Sequence, residues 1–281
     1  MACVKHETIV LILGHQKKSM SAIILNDSRV HYEALGRGKP VVFLHGWVGS
    51  WRYWIPAMQA ASNSFRAYAV DLYGFGETAR ESLGYTLERQ AELVQDFLAQ
   101  LGIGRVAIIA HGLGALVSFV FTLRRKDCVD RILAVNCPLD YSAVNRRVHK
   151  ANTLELTGWL SSRSPGSADF LVDAPKADQK AVHTSMIGLQ SNNLFNEVKA
   201  AGIPILLLYG AKDPAIQTPN LVVDANQTVQ MHQIIMDGSG HFPMIDEPAQ
   251  FNRLMASFLA LPSGSSPRQL SLKEEWKRRV R

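Results

Sequence analysis

Arg105-Val-Ala-Ile-Ile-Ala-His-Gly-Leu-Gly-Ala115 is the stretch on which the fold turns. Its first six residues form an almost unbroken apolar run, the pattern of a strand covered on both faces. Only His111 to Gly114 then separate this strand from apolar residues in helical rhythm, Val117, Val120 and Phe121. A strand that becomes a helix so abruptly needs a sharp turn. Ala110, Gly112 and Gly114 supply small residues where strand and helix pass too closely for side chains.

Outward from this turn, the same alternation recurs. Upstream, Ser21 to Leu35 reads as two short β-type runs broken at Asn26-Asp27, followed by a Gly36 to Pro40 turn, a buried strand Val41 to Leu44, a helical stretch around Ile55 to Ala61 and a strand Phe65 to Val70. Thr86 caps a helix carrying Leu87, Ala91, Val94, Leu98 and Leu101 on one face and stopping at Gly102. Downstream lie strands Ile132 to Asn136, Ile203 to Tyr209 and Met231 to Ile235, then a closing helix from Pro248 to Leu261. This order predicts an α/β domain with a mostly parallel central sheet and helices on both faces. Residues 141–201 interrupt the rhythm with helix-compatible stretches, Ala151 to Leu160 and Asp178 to Val198, joined by a Ser/Pro/Gly-rich link from Ser161 to Ser167. Placed above the carboxyl ends of the strands, where open α/β sheets bind ligands, this insertion is expected to be a small helical cap on a core of 20–140 and 202–261.

The ends of the chain differ from its body. The 281 residues carry a net charge of +6, and all of it is terminal. Lys5, Lys17 and Lys18 outweigh Glu7 in residues 1–19, and six Lys or Arg outweigh Glu274 and Glu275 in residues 262–281. A neutral body argues against a nucleic-acid surface, which needs basic residues lining a folded face. Residues 1–19 are expected to be an N-terminal extension, with Met20 an alternative start. Pro262 to Pro267 reads as a link, and Ser271-Leu-Lys-Glu274 as a capping box opening a basic helix with Leu272, Trp276 and Val280 on one face. Such a stripe suits packing on the body, a protein partner or an anionic surface. No apolar run reaches the roughly 18 to 20 residues of a spanning helix, and none resembles a secretory leader, so a cytoplasmic, non-transmembrane protein is expected. Cys3, Cys128 and Cys137 lack the number and spacing of a disulfide framework or zinc site.

Three further motifs surround the turn. Leu44-His45-Gly46-Trp47 ends a buried strand, where a tight turn aims backbone N–H groups into the crevice; Tyr209-Gly-Ala-Lys-Asp213-Pro214 places an acid after another strand; and Asp237-Gly-Ser-Gly-His241-Phe-Pro243 places a histidine in the loop before the last helix. With the G-x-S-x-G spacing at Ala110 to Gly114, the chain from about residue 20 to 261 resembles the α/β-hydrolase superfamily, in its serine-esterase-like branch with a G-H-S-x-G elbow. The resemblance implies an α/β-hydrolase fold without cofactor or metal. It makes His241 the base, Asp213 its orienting acid, and the Trp47 and Leu113 amides the oxyanion hole. Asp140, after the strand ending near Asn136, sits where some relatives place the acid instead. At the nucleophile position itself this chain carries Gly112.

That departure decides the chemistry to be expected. Losing a triad nucleophile costs on the order of 10⁶ in kcat, about 8 kcal/mol of barrier, far more than relieved elbow strain returns. Epoxide hydrolases and haloalkane dehalogenases use an Asp nucleophile that Gly112 also lacks, and His45-Gly-Trp-Val48 lacks the proline of the epoxide-hydrolase H-G-x-P loop. Three readings follow: a pseudo-hydrolase that binds a small apolar or ester-like molecule in the cap pocket, an enzyme using His241 as general base without a serine ester, or a serine hydrolase inactivated by replacement of residue 112. Ser50 and Ser239, the hydroxyls nearest the motifs, lie on no elbow.

Overall fold

The computed structural model describes residues 21–161, 171–190, 193–221 and 230–272. The N-terminal extension 1–19, most of the Ser161 to Ser167 link and the basic helix expected beyond Leu272 fall outside these residues. One sheet organises the rest. Its strands are β1 (Ala22–Leu25), β2 (Ser28–Gly36), β3 (Lys39–Leu44), β4 (Phe65–Val70), β5 (Val106–His111), β6 (Val129–Val135), β7 (Ile205–Gly210) and β8 (Met231–Met236). The spatial order is β1-β2-β4-β3-β5-β6-β7-β8. β1 to β2 and β2 to β4 run antiparallel, and every later pairing is parallel. This is the α/β-hydrolase fold, with crossover helices packed on the sheet.

The strands owe their placement to their apolar content. β5 and β7 are buried at every residue, so both faces of the sheet centre are covered. The hairpin joining β1 and β2 turns on Asn26 and Asp27, both at positive φ, a conformation that Asn and Asp tolerate better than other side chains. Helix α2 (Leu87–Gln100) is capped by the Thr86 hydroxyl, which accepts from the Arg89 amide, and buries Leu87, Ala91, Val94 and Leu98.

Between β6 and β7 the chain forms short helices: α4 (Arg146–Lys150), α5 (Thr153–Leu160), a helix Gln179–Gln190 and a helix Leu194–Ala200. The helix expected over Asp178 to Val198 is therefore two. Asn193, before the second, lies outside both helices. Asn152 and Glu155 form a complete capping box at the start of α5, two residues later than the expected beginning at Ala151. The chain after the closing helix Pro248–Leu259 runs along the body rather than away from it. The Ser263 hydroxyl donates to Asp130, and His232 Nε2 meets the Leu270 carbonyl at 2.9 Å.

The elbow itself joins β5 to α3 (Leu113–Arg124), and two glycines there differ in kind. A Cβ on Gly114 would stand 2.6 Å from the Leu44 carbonyl oxygen, inside the backbone of β3. A Cβ on Gly112 would make ordinary contact with the Trp47 ring at 3.5 Å and the Gly46 Cα at 3.7 Å, but its backbone is held at φ 48° and ψ −109°. Gly114→Ala should thus force β3 and α3 apart and destabilise by roughly 1–3 kcal/mol or more. Gly112→Ala should cost only the conformational strain, of order 1 kcal/mol. Chemical denaturation of the two variants checks the order; equal losses would contradict this packing.

Candidate active site

The site grows from the end of β3. Leu72 N–H donates to His45 Nε2 at 3.0 Å, which puts the ring proton on Nδ1; that nitrogen lies 2.8 Å from the Gly46 carbonyl and donates to it. Fixing this carbonyl fixes the whole peptide plane, because the peptide is trans. The Trp47 N–H consequently points away from the His45 ring. On the other side of the turn the Gly46 N–H donates to Tyr53 Oη at 2.6 Å, and the tyrosine proton is directed at His111 Nδ1, 3.1 Å away. Among the described residues, neither the Trp47 amide nor the Leu113 amide, the first of α3, donates a hydrogen bond to the protein. Two unspent donors flank Gly112.

Opposite them stands a histidine. His241 Nδ1 lies 3.0 and 2.9 Å from the two carboxylate oxygens of Asp213, and both side chains are 1% exposed. The Asp213 carboxylate also accepts from the Ala215 amide at 2.8 Å. The structure thus brings together Asp213 from the loop after β7 and His241 from the loop after β8, and it leaves Nε2 of His241 as the ring nitrogen free of the carboxylate. Asp140 is elsewhere employed: it caps a helical turn, accepting from the Ala143 amide and the Ser142 hydroxyl, and is not the partner of His241. Ser239 donates to Glu247, and Ser50 donates to Asp173. Neither hydroxyl is at the elbow.

His111 ties the two halves together. Its ring packs edge-on against His241 with centroids 4.7 Å apart. Burial, reinforced by the nearby His241, holds its pKa well below the ordinary 6.5, so it is a neutral acceptor for Tyr53. Burial likewise lowers His45, against the opposing pull of Asp71. Tyr53 is pushed well up by burial and stays protonated.

The roof comes from the inserted helices. Trp47 Nε1 donates to the Ser185 hydroxyl at 2.9 Å, so the indole bridges the turn and the helix Gln179–Gln190 above Gly112. Asp173, 1% exposed, accepts from Ser50 and pairs with Arg52 and with Lys176, 2.7 Å away. Trp51, Tyr53 and Trp54 are buried in the core beneath and line no mouth. A cavity of about 760 Å³ lies at the opposite ends of the strands, between Lys39, Phe65, Arg105, Arg131 and Leu261, away from the dyad.

The family model described as the alpha/beta hydrolase family matches residues 41–254, from β3 to the closing helix. The chain belongs to the alpha/beta hydrolase family. Among its hydrolase relatives, the soluble epoxide hydrolase of Corynebacterium sp. is 33% identical over 113 residues, a match that spans 40% of each chain. The 2-hydroxy-6-oxo-6-(2'-aminophenyl)hexa-2,4-dienoic acid hydrolase of Metapseudomonas resinovorans is 22% identical over 82% of this chain and 87% of its own. Among solved structures, a serine-to-glycine mutant of the N-acyl homoserine lactonase AidH, complexed with N-hexanoyl homoserine lactone, superposes with a TM-score of 0.76. That match covers 86% of this chain and 97% of the lactonase at 19% identity, a likeness of fold.

Sequence reading missed the hydrogen-bonding duties of His45, Tyr53 and Ser185. The His45-Gly46 turn was visible, but a contact such as Trp47 to Ser185, 138 residues apart, has no local signal. The neutral histidines carry a testable consequence. With folded values below 6.5, the unfolded chain binds more protons as pH falls from about 6.5, so stability is full above that pH and declines below it. Each histidine adds up to about 1.4 kcal/mol per pH unit across its window. Melting temperature should fall between pH 7 and 5; a flat profile would contradict neutral His45 and His111.

Proposed function

We propose that this chain is a hydrolase-family protein that keeps an oxyanion-type site and a His/Asp dyad but binds its ligand without forming a serine ester. The observation that carries this reading is Gly112. It retains the strained elbow conformation, φ 48°, with two free amides beside it and His241 held by Asp213, and it offers no hydroxyl. Every element except the nucleophile stands around an atom that glycine lacks.

The ligand class follows from the donors. The Trp47 and Leu113 amides suit a carbonyl or carboxyl oxygen, such as an acyl or ester-like group presents. A serine-to-glycine mutant of a lactonase with this fold was complexed with an acyl homoserine lactone, a ligand of the class these donors suit. The relatives act on epoxides, lactones and dienoic acids by name, so the fold does not choose among them. The inserted helices act as the cap, and with Trp47 2% exposed, entry requires the Trp47–Ser185 bridge to part.

A second reading rests on a separate observation. Because Asp213 holds Nδ1, His241 presents Nε2 as a base, and a water or substrate group at Gly112 would be within the reach of general-base chemistry. This version turns substrate over; the first does not.

Gly112→Ser separates the readings. A serine Cβ meets only ordinary contact with Trp47 and the Gly46 Cα, so the variant should fold, at a cost of order 1 kcal/mol for the elbow conformation. It should react with a fluorophosphonate at residue 112, hydrolyse a short activated ester, and lose both on adding His241→Ala. The parent should do neither, lying on the order of 10⁶ below the variant in kcat. Ester turnover by the parent that disappears in His241→Ala favours the general-base reading. Parent labelling by the probe would end the glycine-elbow proposal.

A further inference from the structure

Asn136 stands one residue past β6, at the point where three separate segments meet, and it holds all of them. Its side-chain Nδ2 donates to the Gly240 carbonyl at 3.0 Å and to the His241 carbonyl at 2.9 Å, while its Oδ1 accepts from the Gly210 amide at 2.9 Å. Its own amide donates to the Leu208 carbonyl at 2.8 Å. Gly210 opens the loop that carries Asp213, and Gly240 immediately precedes His241. One fully buried amide group therefore bonds to both the acid loop and the base loop, which also meet directly where the Lys212 amide donates to the Ser239 carbonyl at 2.9 Å.

The residue type fits that task. Asn136 has φ 42°, in the left-handed region, where asparagine is among the few non-glycine residues tolerated. Aspartate would keep the acceptor for Gly210 but present oxygens to two carbonyls. Leucine would offer none of the three peptide groups a hydrogen bond. The junction has little slack, since Gly210 lies so close to the Gly240 carbonyl that no Cβ fits between them. On its outer side the histidine loop is held by Asp246, which accepts from the Gly240 amide at 2.8 Å, and by Glu247, which accepts from Ser239. Those contacts fix the loop to the following helices. Among the described residues, Asn136 is the one whose side chain bonds both to this loop and to the strand bearing the acid loop.

We infer that Asn136 is the positioning residue of the His241–Asp213 pair: it aligns the two loops so that the histidine Nδ1 meets the carboxylate. It touches neither ring nor carboxylate and acts only through the backbone. The inference rests on the pairing of His241 with Asp213, and not on whether the site binds or turns over its ligand.

The test reads the dyad directly. A histidine Nδ1 proton bonded to a carboxylate gives a far-downfield proton resonance, assigned here by its loss in His241→Gln. Asn136→Gly keeps the positive φ at no strain and deletes the clamp; Asn136→Asp keeps the Gly210 acceptor and the backbone tolerance but removes both donors. In both folded variants the resonance should broaden or vanish. In the Gly112→Ser background both should slow fluorophosphonate labelling at least tenfold. A third variant, Glu247→Gln, loosens the loop from its outer side and should leave the resonance in place, separating positioning from general loosening. Retention of the resonance at its parent position in folded Asn136→Gly overturns the inference alone. Its absence from the parent overturns the dyad reading as well. Failure of both variants to fold assigns Asn136 to the fold as a whole and also overturns the positioning role.

Discussion

The constraint on which the site depends is the contact between α3 and the end of β3. Gly114 has no side chain, its amide donates to the His45 carbonyl at 3.0 Å, and a Cβ there would enter the Leu44 backbone. Helix and strand can approach this closely only through glycine. The approach sets Leu113 next to the Gly46-Trp47 turn, so that amides distant in sequence converge on Gly112. A larger residue at 114 would separate the donors before it touched anything chemical.

Electrostatics then keeps the converged groups neutral where they must be and polar where they must be. Burying His45 and His111 suppresses their charge; His45 is given one donor and one acceptor role that only the neutral ring can fill, and His111 accepts from Tyr53 at Nδ1. The chain Gly46 N–H to Tyr53 to His111 leaves the adjacent Trp47 amide unspent. A protonated His111, 4.7 Å from His241 by ring centroids, would repel a charge forming on the base. The same burial that organises the site makes it acid-sensitive.

The inserted helices close this arrangement from above through two dissimilar ties. Trp47 to Ser185 is a single neutral hydrogen bond directly above Gly112. Asp173 is a buried carboxylate held by Ser50, Arg52 and Lys176, and a buried charge that loses its partners is expensive to keep. The second tie holds a charge among three partners, whereas the first is the weaker contact.

Local sequence was sufficient for the fold. The apolar runs of β3, β5 and β7 and the Ala110 to Gly114 spacing name a buried strand, a sharp turn and a helix, because those signals depend on neighbours a few residues apart. The identity of the elbow residue, Gly112, was equally plain, and with it the missing hydroxyl. Sequence overran the helix at 178–198, since the helix-compatible pattern continues through the break without marking it. Sequence named Asp213 as the partner of His241 with Asp140 as the alternative, since both acids follow strands; tertiary structure brings the Asp213 loop to the histidine through the packing order of β6, β7 and β8. Tertiary structure alone decided the tasks of Tyr53, Ser185 and Asn136. A hydrogen bond between groups 58 or more residues apart leaves no periodicity to read, and it exists only once the sheet has brought the strand ends together.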